Sequence, residues 1–488
     1  MKKYAHDPLG TRLPVKIDSA SNGEFAPVPL EPVHHEARHR AFEAATANAK
    51  RLAVGRRDFL VSACGTAATL LAMNEAYARA GRSGGFFDLP RESALDLLAA
   101  RSALDKRELV FDVQGHFVNP TGAWTKHLPA TATPLRFPKT QSCGPSKGPG
   151  RLDYLQCLGT DEFVKDVFLD SDTDLMVLSF VPSTREGEPL TIEEAAATAR
   201  IVERLEGTHR LLIHGRVNPN QKGDLEGMDE LASRYPIAAW KTYTQWGPDG
   251  KGFYLDDDVG VAFIEKARAL GVRNIAIHKG LAFGTRSYEH STCVDVGRVA
   301  KRFPDVRFLI YHSGFVQDKA EGPHDPKRTD GIDALVTSLR DNGVKPGSNV
   351  YAELGSTWRF LMRDPDSAAH ALGKLLAACG ADNVLWGTDS IWYGSPQDQI
   401  AAFRAFQIAP ALRDRHGYPE ITPALRAKVF GLNALKVYSI PEDVVKKHLA
   451  DRVARDRVAY SAEHPDPTFV THGPKTRREF LNLKAWGG

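Results

Sequence analysis

Cysteine is scarce in this chain: five among 488 residues, at positions 64, 143, 157, 293 and 379, with no two in CxxC or zinc-ribbon spacing. The spacing excludes a thiolate zinc knot and a dithiol redox centre. Cys143 and Cys157 alone lie near one another, close enough to pair in an oxidising compartment. An excess of one charge is also missing, since 63 Lys and Arg face 60 Asp and Glu for a net charge of +3. That balance gives no footing for nucleic acid or anionic lipid. No apolar run approaches the ~20 residues that span a bilayer, and there is no Gly-rich phosphate loop. With 42% hydrophobic residues, the chain still has ample material for a core.

What the chain has instead is a recurring unit. Eight short apolar segments follow one another: LVFDVQGHF from 109, DLMVLSFV from 174, RLLIHGRVNP from 210, PIAAWKTYT from 236, RNIAIHKG from 273, VRFLIYHSG from 306, NVYAELGST from 349 and NVLWGTDS from 383. Each is rich in β-branched or aromatic residues and bounded by Gly, Pro or Asp, as buried parallel strands are. Ala-rich helical stretches such as IEEAAATARIVERLEG, VGVAFIEKARALG and HALGKLLAACG lie between them. Strand and helix alternating eight times predict an α/β fold, a (β/α)8 TIM barrel with an N-terminal leader and a C-terminal helical extension.

In such a barrel the C-terminal strand ends and the loops after them build the active site. Gln114 and His116 stand there on the first strand, Lys241 on the fourth, His278 on the fifth, His312 on the sixth, Glu353 on the seventh and Asp389 on the eighth. Residues two apart on a strand share a face, so Asp112, Gln114 and His116 point the same way. Closure sets the eighth strand roughly 5 Å from the first, bringing Asp389 close to His116. His278 then reaches in from the far wall. Two imidazoles and a carboxylate make up the three protein ligands of a catalytic zinc site. The mouth loops carry Trp246, Trp358 and Trp392 as walls for a partly apolar organic substrate, and Lys241, Arg286 and Arg359 as cations for a substrate carboxylate. The loop from about 119 to 150 reads as a lid. His214 also ends a strand, and reads as structural.

The run FDVQGHF, followed by IHKG, YHSG, WGTDS and ITPALRAKVFGLNALKVY, resembles the amidohydrolase superfamily, in particular the amidohydrolase-related branch that includes aminocarboxymuconate semialdehyde decarboxylase and several lactone hydrolases. The resemblance implies that His116 and His278 are metal ligands and that His312 is a catalytic or substrate-polarising imidazole. Asp389 is implied as a ligand that also handles the proton of an attacking water. One departure stands out: where the family has the first histidine of a His-x-His pair, this chain has Gln114, and an amide is a poor zinc ligand. Three readings stay open. A single divalent metal, zinc first, is held by His116, His278 and Asp389 with Gln114 weakly bound or not a ligand; another ion such as Mn or Fe is preferred; or the site works without metal. The corresponding activity is hydrolysis of an amide, lactone or ester by metal-activated water. Non-oxidative decarboxylation of an aromatic or unsaturated acid is the alternative on the same groups, and an inactive binding barrel the second.

Upstream of the barrel, residues 1–55 read as a flexible leader. Residues 56–80 follow, within GRRDFLVSACGTAATLLAMNEAYARAG, where Arg56 and Arg57 precede an Ala-rich stretch. This looks like a twin-arginine export signal with small-residue cleavage sites near Ala78 or Ala80, implying the twin-arginine machinery as a partner and a soluble periplasmic or secreted product. The barrel domain is expected over 81–440. Residues 441–488 are expected as one amphipathic helix and an irregular tail, packed on the barrel or on a second subunit of a homo-oligomer.

Overall fold

The computed structural model describes residues 7, 10–21, 25–127, 157–206, 209–282, 287–441, 443–445, 471 and 473–484. Eight parallel strands neighbour one another in chain order, β1 to β8: Phe111–Gly115, Leu175–Leu178, Leu211–Arg216, Ile237–Tyr243, Asn274–His278, Arg307–Tyr311, Val350–Glu353 and Val384–Leu385. All eight predicted strands are therefore present, each shorter than its apolar segment. Backbone bonds close the ring between β1 and the chain after β8: Val113 N donates to Trp386 O at 3.0 Å, Asp389 N to Gln114 O at 2.9 Å and Ile391 N to His116 O at 3.1 Å. Asp112 reinforces this seam, its Oδ1 accepting from Gln114 N at 3.0 Å and Thr388 N at 3.1 Å. The fold is a TIM barrel, with helices such as Ile192–Glu206, Asp258–Ala269 and Pro365–Cys379 packed outside it.

The strand interiors are apolar because both faces are covered, as in parallel sheets generally. His214 is part of that interior. Its Nδ1 lies 3.1 Å from Ser179 Oγ and its Nε2 3.4 Å from the Tyr311 hydroxyl, in keeping with a structural histidine.

The described residues of the segment read as a flexible leader are folded. Residues Pro32–Arg51 form α1 and Ala63–Arg79 form α2, which pack on each other. On α1 the residues Ala37, Ala41, Ala45 and Ala49 recur every fourth position and are buried; on α2 they meet Ala67, Leu70, Met73, Ala76 and Tyr77. A stripe of alanines lets two helices approach closely, and its low hydrophobicity hides it in a sequence read by apolar period. The twin-arginine-like segment lies inside this unit, with Phe59 and Leu60 buried in the short helix Arg56–Leu60. A second element unforeseen in sequence is an antiparallel ribbon of Gly85–Phe87 with Phe406–Ile408. The tail expected to be irregular contains the helix Arg477–Lys484, while most of the amphipathic helix expected after 441 lies outside the described residues. Cys157 is disulfide-bonded; Cys143 and most of the expected lid, its residues 128–150, lie outside the described residues. No helix among the described residues is long and apolar enough to cross a membrane.

α1 carries a titratable anchor. His34 Nδ1 accepts from Glu31 N at 2.8 Å, and burial followed by the charge of Arg363 pushes its pKa from 6.5 down to about 4. Between those values the unfolded chain binds the proton and the folded chain does not, so stability is full above pH 6.5 and falls as pH drops toward 4. The loss through this group is about 2–3 kcal/mol. His34→Gln should flatten that part of the profile, as read from urea midpoints across the window. Superimposable slopes for the two proteins would contradict it.

Candidate active site

The residues expected at the barrel mouth arrive there on strand ends with unusual backbone. His312, directly after β6, has φ +66°, Ser313 +54°, Ser356 +52° and Asp389 +60°. Left-handed conformations at non-glycine residues cost free energy and cluster where function demands a particular side-chain direction. Two of these residues, His312 and Asp389, meet at one point.

That point is the Gln114 amide. Its Nε2 donates to Asp389 Oδ1 at 3.0 Å and lies 3.3 Å from His116 Nε2 and 3.4 Å from His312 Nε2. His116 Nε2 is 3.1 Å from Asp389 Oδ1. His312 Nε2 is 3.2 Å from His278 Nδ1. All five residues are at most 1% exposed. Gln114, His116, His278, His312 and Asp389 are thus brought together at one rim of the barrel.

The tautomers follow from the partners. His312 Nδ1 lies 2.6 Å from Gly355 O and His278 Nε2 3.1 Å from Gly280 O. A carbonyl only accepts, so each of these nitrogens carries the proton. Burial, helped by neighbouring cations, pushes the His312 pKa down to about 4 and that of His278 well below 6.5, which keeps both rings neutral. Two lone pairs therefore face each other across 3.2 Å. The His312 N–H is thus spent on Gly355, and its Nε2 offers a lone pair to the site.

Asp389 stays ionised. Although burial opposes the charge, His116 and the Ser356 hydroxyl, which donates to Oδ2, hold its pKa down to about 2. Glu353 takes the opposite course, pushed up to about 8 mainly by burial, with Oε2 accepting from His312 N at 3.0 Å and Oε1 from Gly355 N at 2.6 Å. It fixes backbone rather than offering charge.

The remaining expected residues divide. Lys241 is buried, with Nζ 3.9 Å from the Tyr311 ring centroid and 4.7 Å from that of Tyr243, which itself stacks on His278. Trp392 stacks on His116 at 5.4 Å and forms a wall of the site. Trp358 does not: its Nε1 donates to Gln399 O, and its ring packs on Phe403 and Phe406 in the outer layer, because the helix Thr357–Leu361 turns it away from the mouth. Trp246 sits on the loop after β4, where its carbonyl accepts from Asn220. Arg359 is buried and ion-paired with Asp18, so a residue of the chain, not solvent, meets this expected substrate cation. Arg286 lies outside the described residues. Sequence reasoning missed Ser356 and the hydroxyl of Tyr393, 2.9 Å from Ser356 Oγ. The GST run after β7 was the available signal, since a hydroxyl at a strand end reads as a site residue only once its neighbours are known.

The donor chemistry suits a divalent cation. Two facing imidazole lone pairs and a carboxylate oxygen are groups such an ion binds, and His116 Nε2 joins them once the proton it gives to Asp389 moves to Nδ1; the orphaned, buried Gln114 Oε1 adds an oxygen donor. They are not preassembled: among the described residues no three His, Cys, Asp or Glu side chains are grouped to hold an ion. The Gln114 amide fills the middle and would turn or withdraw.

A protein-family model described as amidohydrolase matches residues 111–440, from the first barrel strand to the closing helices. No curated protein matches the chain. Similar solved structures include the 5-carboxyvanillate decarboxylase of Novosphingobium aromaticivorans, complexed with manganese and 4-hydroxy-3-methoxy-5-nitrobenzoic acid, at 14% identity over 69% of this chain and 97% of that one, TM-score 0.43. The 2,6-dihydroxybenzoate decarboxylase of Rhizobium is similar at 14% identity over 68% and 99%, TM-score 0.40. A Pseudomonas putida protein carrying the name 2-pyrone-4,6-dicarboxylic acid hydrolase is similar at 12% identity over 68% and 98%, TM-score 0.40.

Proposed function

Because the chain belongs to the amidohydrolase family, we propose that it is a metal-assisted hydrolase acting on an amide, lactone or ester bond of a small organic molecule. The observation carrying this reading is the convergence of three imidazoles, one ionised carboxylate and the Gln114 amide in a single buried cluster. His116, His278 and Asp389 would hold the ion, whether zinc, manganese or iron. When bound, it supplies Lewis acidity and lowers the pKa of a water. His312 Nε2 accepts a proton from the nucleophile and, once charged, returns it to the leaving group, which Asp389 favours by its nearby negative charge. Lys241 attracts a developing or resident negative charge, and Trp392 walls the apolar part of the substrate.

One observation favours a second reading on the same groups. Lys241 is a buried cation flanked by the Tyr243 and Tyr311 rings, a seat for a carboxylate against an aromatic ring. With such a substrate the outcome is loss of carbon dioxide and protonation of the ring carbon.

Purified protein screened against lactones, amides and aromatic acids, scored for acid release against carbon dioxide release, separates the two. The expected result is acid release, about one divalent ion per chain by elemental analysis, and turnover lost on chelation and restored by metal. Turnover by metal-free protein in the presence of chelator would defeat the metal part; carbon dioxide release would establish the second reading.

A further inference from the structure

We propose that residues 11–21 are a fixed wall of the active site, in which Lys16 and Asp18 are positioning residues for Tyr393 and, through Ser356, for Asp389. The segment lies outside the family-matched region 111–440, yet Val15 and Ile17 are buried in the core.

Two independent contacts converge on Tyr393. Lys16 Nζ donates to the carbonyl oxygens of Tyr393 at 2.8 Å and Ser395 at 2.6 Å, and pairs with Asp398 Oδ1 at 3.3 Å. This pins the backbone of the loop after β8. Asp18 Oδ1 accepts from Arg359 Nη2 at 2.5 Å, and the Arg359 guanidinium carbon lies 5.5 Å from the centroid of the Tyr393 ring. This sets the ring. The Tyr393 hydroxyl is 2.9 Å from Ser356 Oγ, whose proton goes to Asp389 Oδ2. From the leader to the Asp389 carboxylate there is one unbroken row of contacts.

The electrostatics make Asp18 hard to replace. Arg359 and Arg363 are buried side by side, and among the described residues Asp18 is the acid ion-paired with Arg359 while its carbonyl accepts from Arg363. Removing one partner of a buried pair strands the other charge. Burial opposes the Asp18 charge, but Arg359, Lys475 and the Thr471 hydroxyl hold its carboxyl well below the usual range. The C-terminal segment clamps the same stretch, Pro474 O accepting from Ser21 N at 2.8 Å and Lys475 O from Ser19 Oγ at 3.0 Å.

The activity arm of the test rests on the proposed function; the exchange arm does not. Amide hydrogen exchange is measured on the full chain and on Asp18→Asn and Lys16→Met. Both variants should exchange about tenfold faster or more over residues 386–395, with β5 and β6 unchanged. On a substrate found in the screen, kcat should fall about 10- to 100-fold with KM within about threefold, and Asp18→Glu should recover part of it. Thr471→Val, which removes one bond to Asp18, gives a smaller change of the same pattern should Asp18→Asn not fold. Unchanged exchange over 386–395, or an equal rise across the whole barrel, would overturn the positioning role. If the wild type turns over nothing in the screen, the hydrolase reading fails while the exchange result still decides this one.

Discussion

Asp389→Asn should lower turnover by about a thousandfold or more while leaving the barrel folded. The carboxylate is the only anion in direct contact with the imidazole cluster among the described residues, and both its oxygens accept hydrogen bonds: Oδ1 from Gln114 and His116, Oδ2 from Ser356. Asparagine keeps the shape but turns one acceptor into an NH2 that must face a donor. It also removes the negative charge that favours a proton on His312. The measurement is kcat with circular dichroism and thermal unfolding on the same preparation. An Asp389→Asn enzyme with near-native kcat would remove Asp389 from the mechanism; an unfolded one would move it from chemistry to structure.

The largest effect on stability is expected at a glycine two residues earlier. A Cβ on Gly387 would stand 1.6 Å from Glu353 Oε1 and 2.7 Å from Glu353 Cδ. Glu353 cannot simply retreat, since it is fully buried and accepts from both His312 N and Gly355 N. Gly387→Ala should therefore cost about 3 kcal/mol or more and displace His312 with its carboxylate anchor. Chemical denaturation gives the stability and the wild-type assay gives the activity. Adding Glu353→Asp, one methylene shorter, should recover part of the loss. A Gly387→Ala protein as stable as wild type would show that the close packing of β7 against the chain after β8 is not a constraint.

Much of the barrel was legible because its signal is local. Segments such as RNIAIHKG and VRFLIYHSG carry apolar β-branched runs that need only their own composition to be recognised, and the fold's chirality and closure then order them. The same logic located His116, His278, His312 and Asp389, since a strand end in this fold is a place in space. It could not locate Ser356 or Asp18, nor the hydroxyl contact of Tyr393. Their part in the site depends on which side chain fills the gap beside Asp389, a matter of packing between segments 33 to 377 residues apart, as for Ser356 with Asp389 and Lys16 with Tyr393. Polarity of a contact was equally out of reach. Whether His312 gives or accepts a proton turned on the Gly355 carbonyl, a backbone atom that no residue type announces.

The leader shows the same division from the other side. Low hydrophobicity and no strong period made residues 1–55 look unstructured, yet an alanine stripe on α1 buries itself because α2 is there to receive it. Composition and period thus determined an eight-stranded barrel, its residues for chemistry and the rim where they meet, because hydrophobic patterning and strand ends are properties of the chain read locally. Tertiary structure alone decided that the Gln114 amide occupies the centre of the cluster, that Arg359 is met by Asp18, and that the first helices belong to the folded body. Those outcomes depend on desolvation and distance between remote segments, quantities that exist only once the chain has closed on itself.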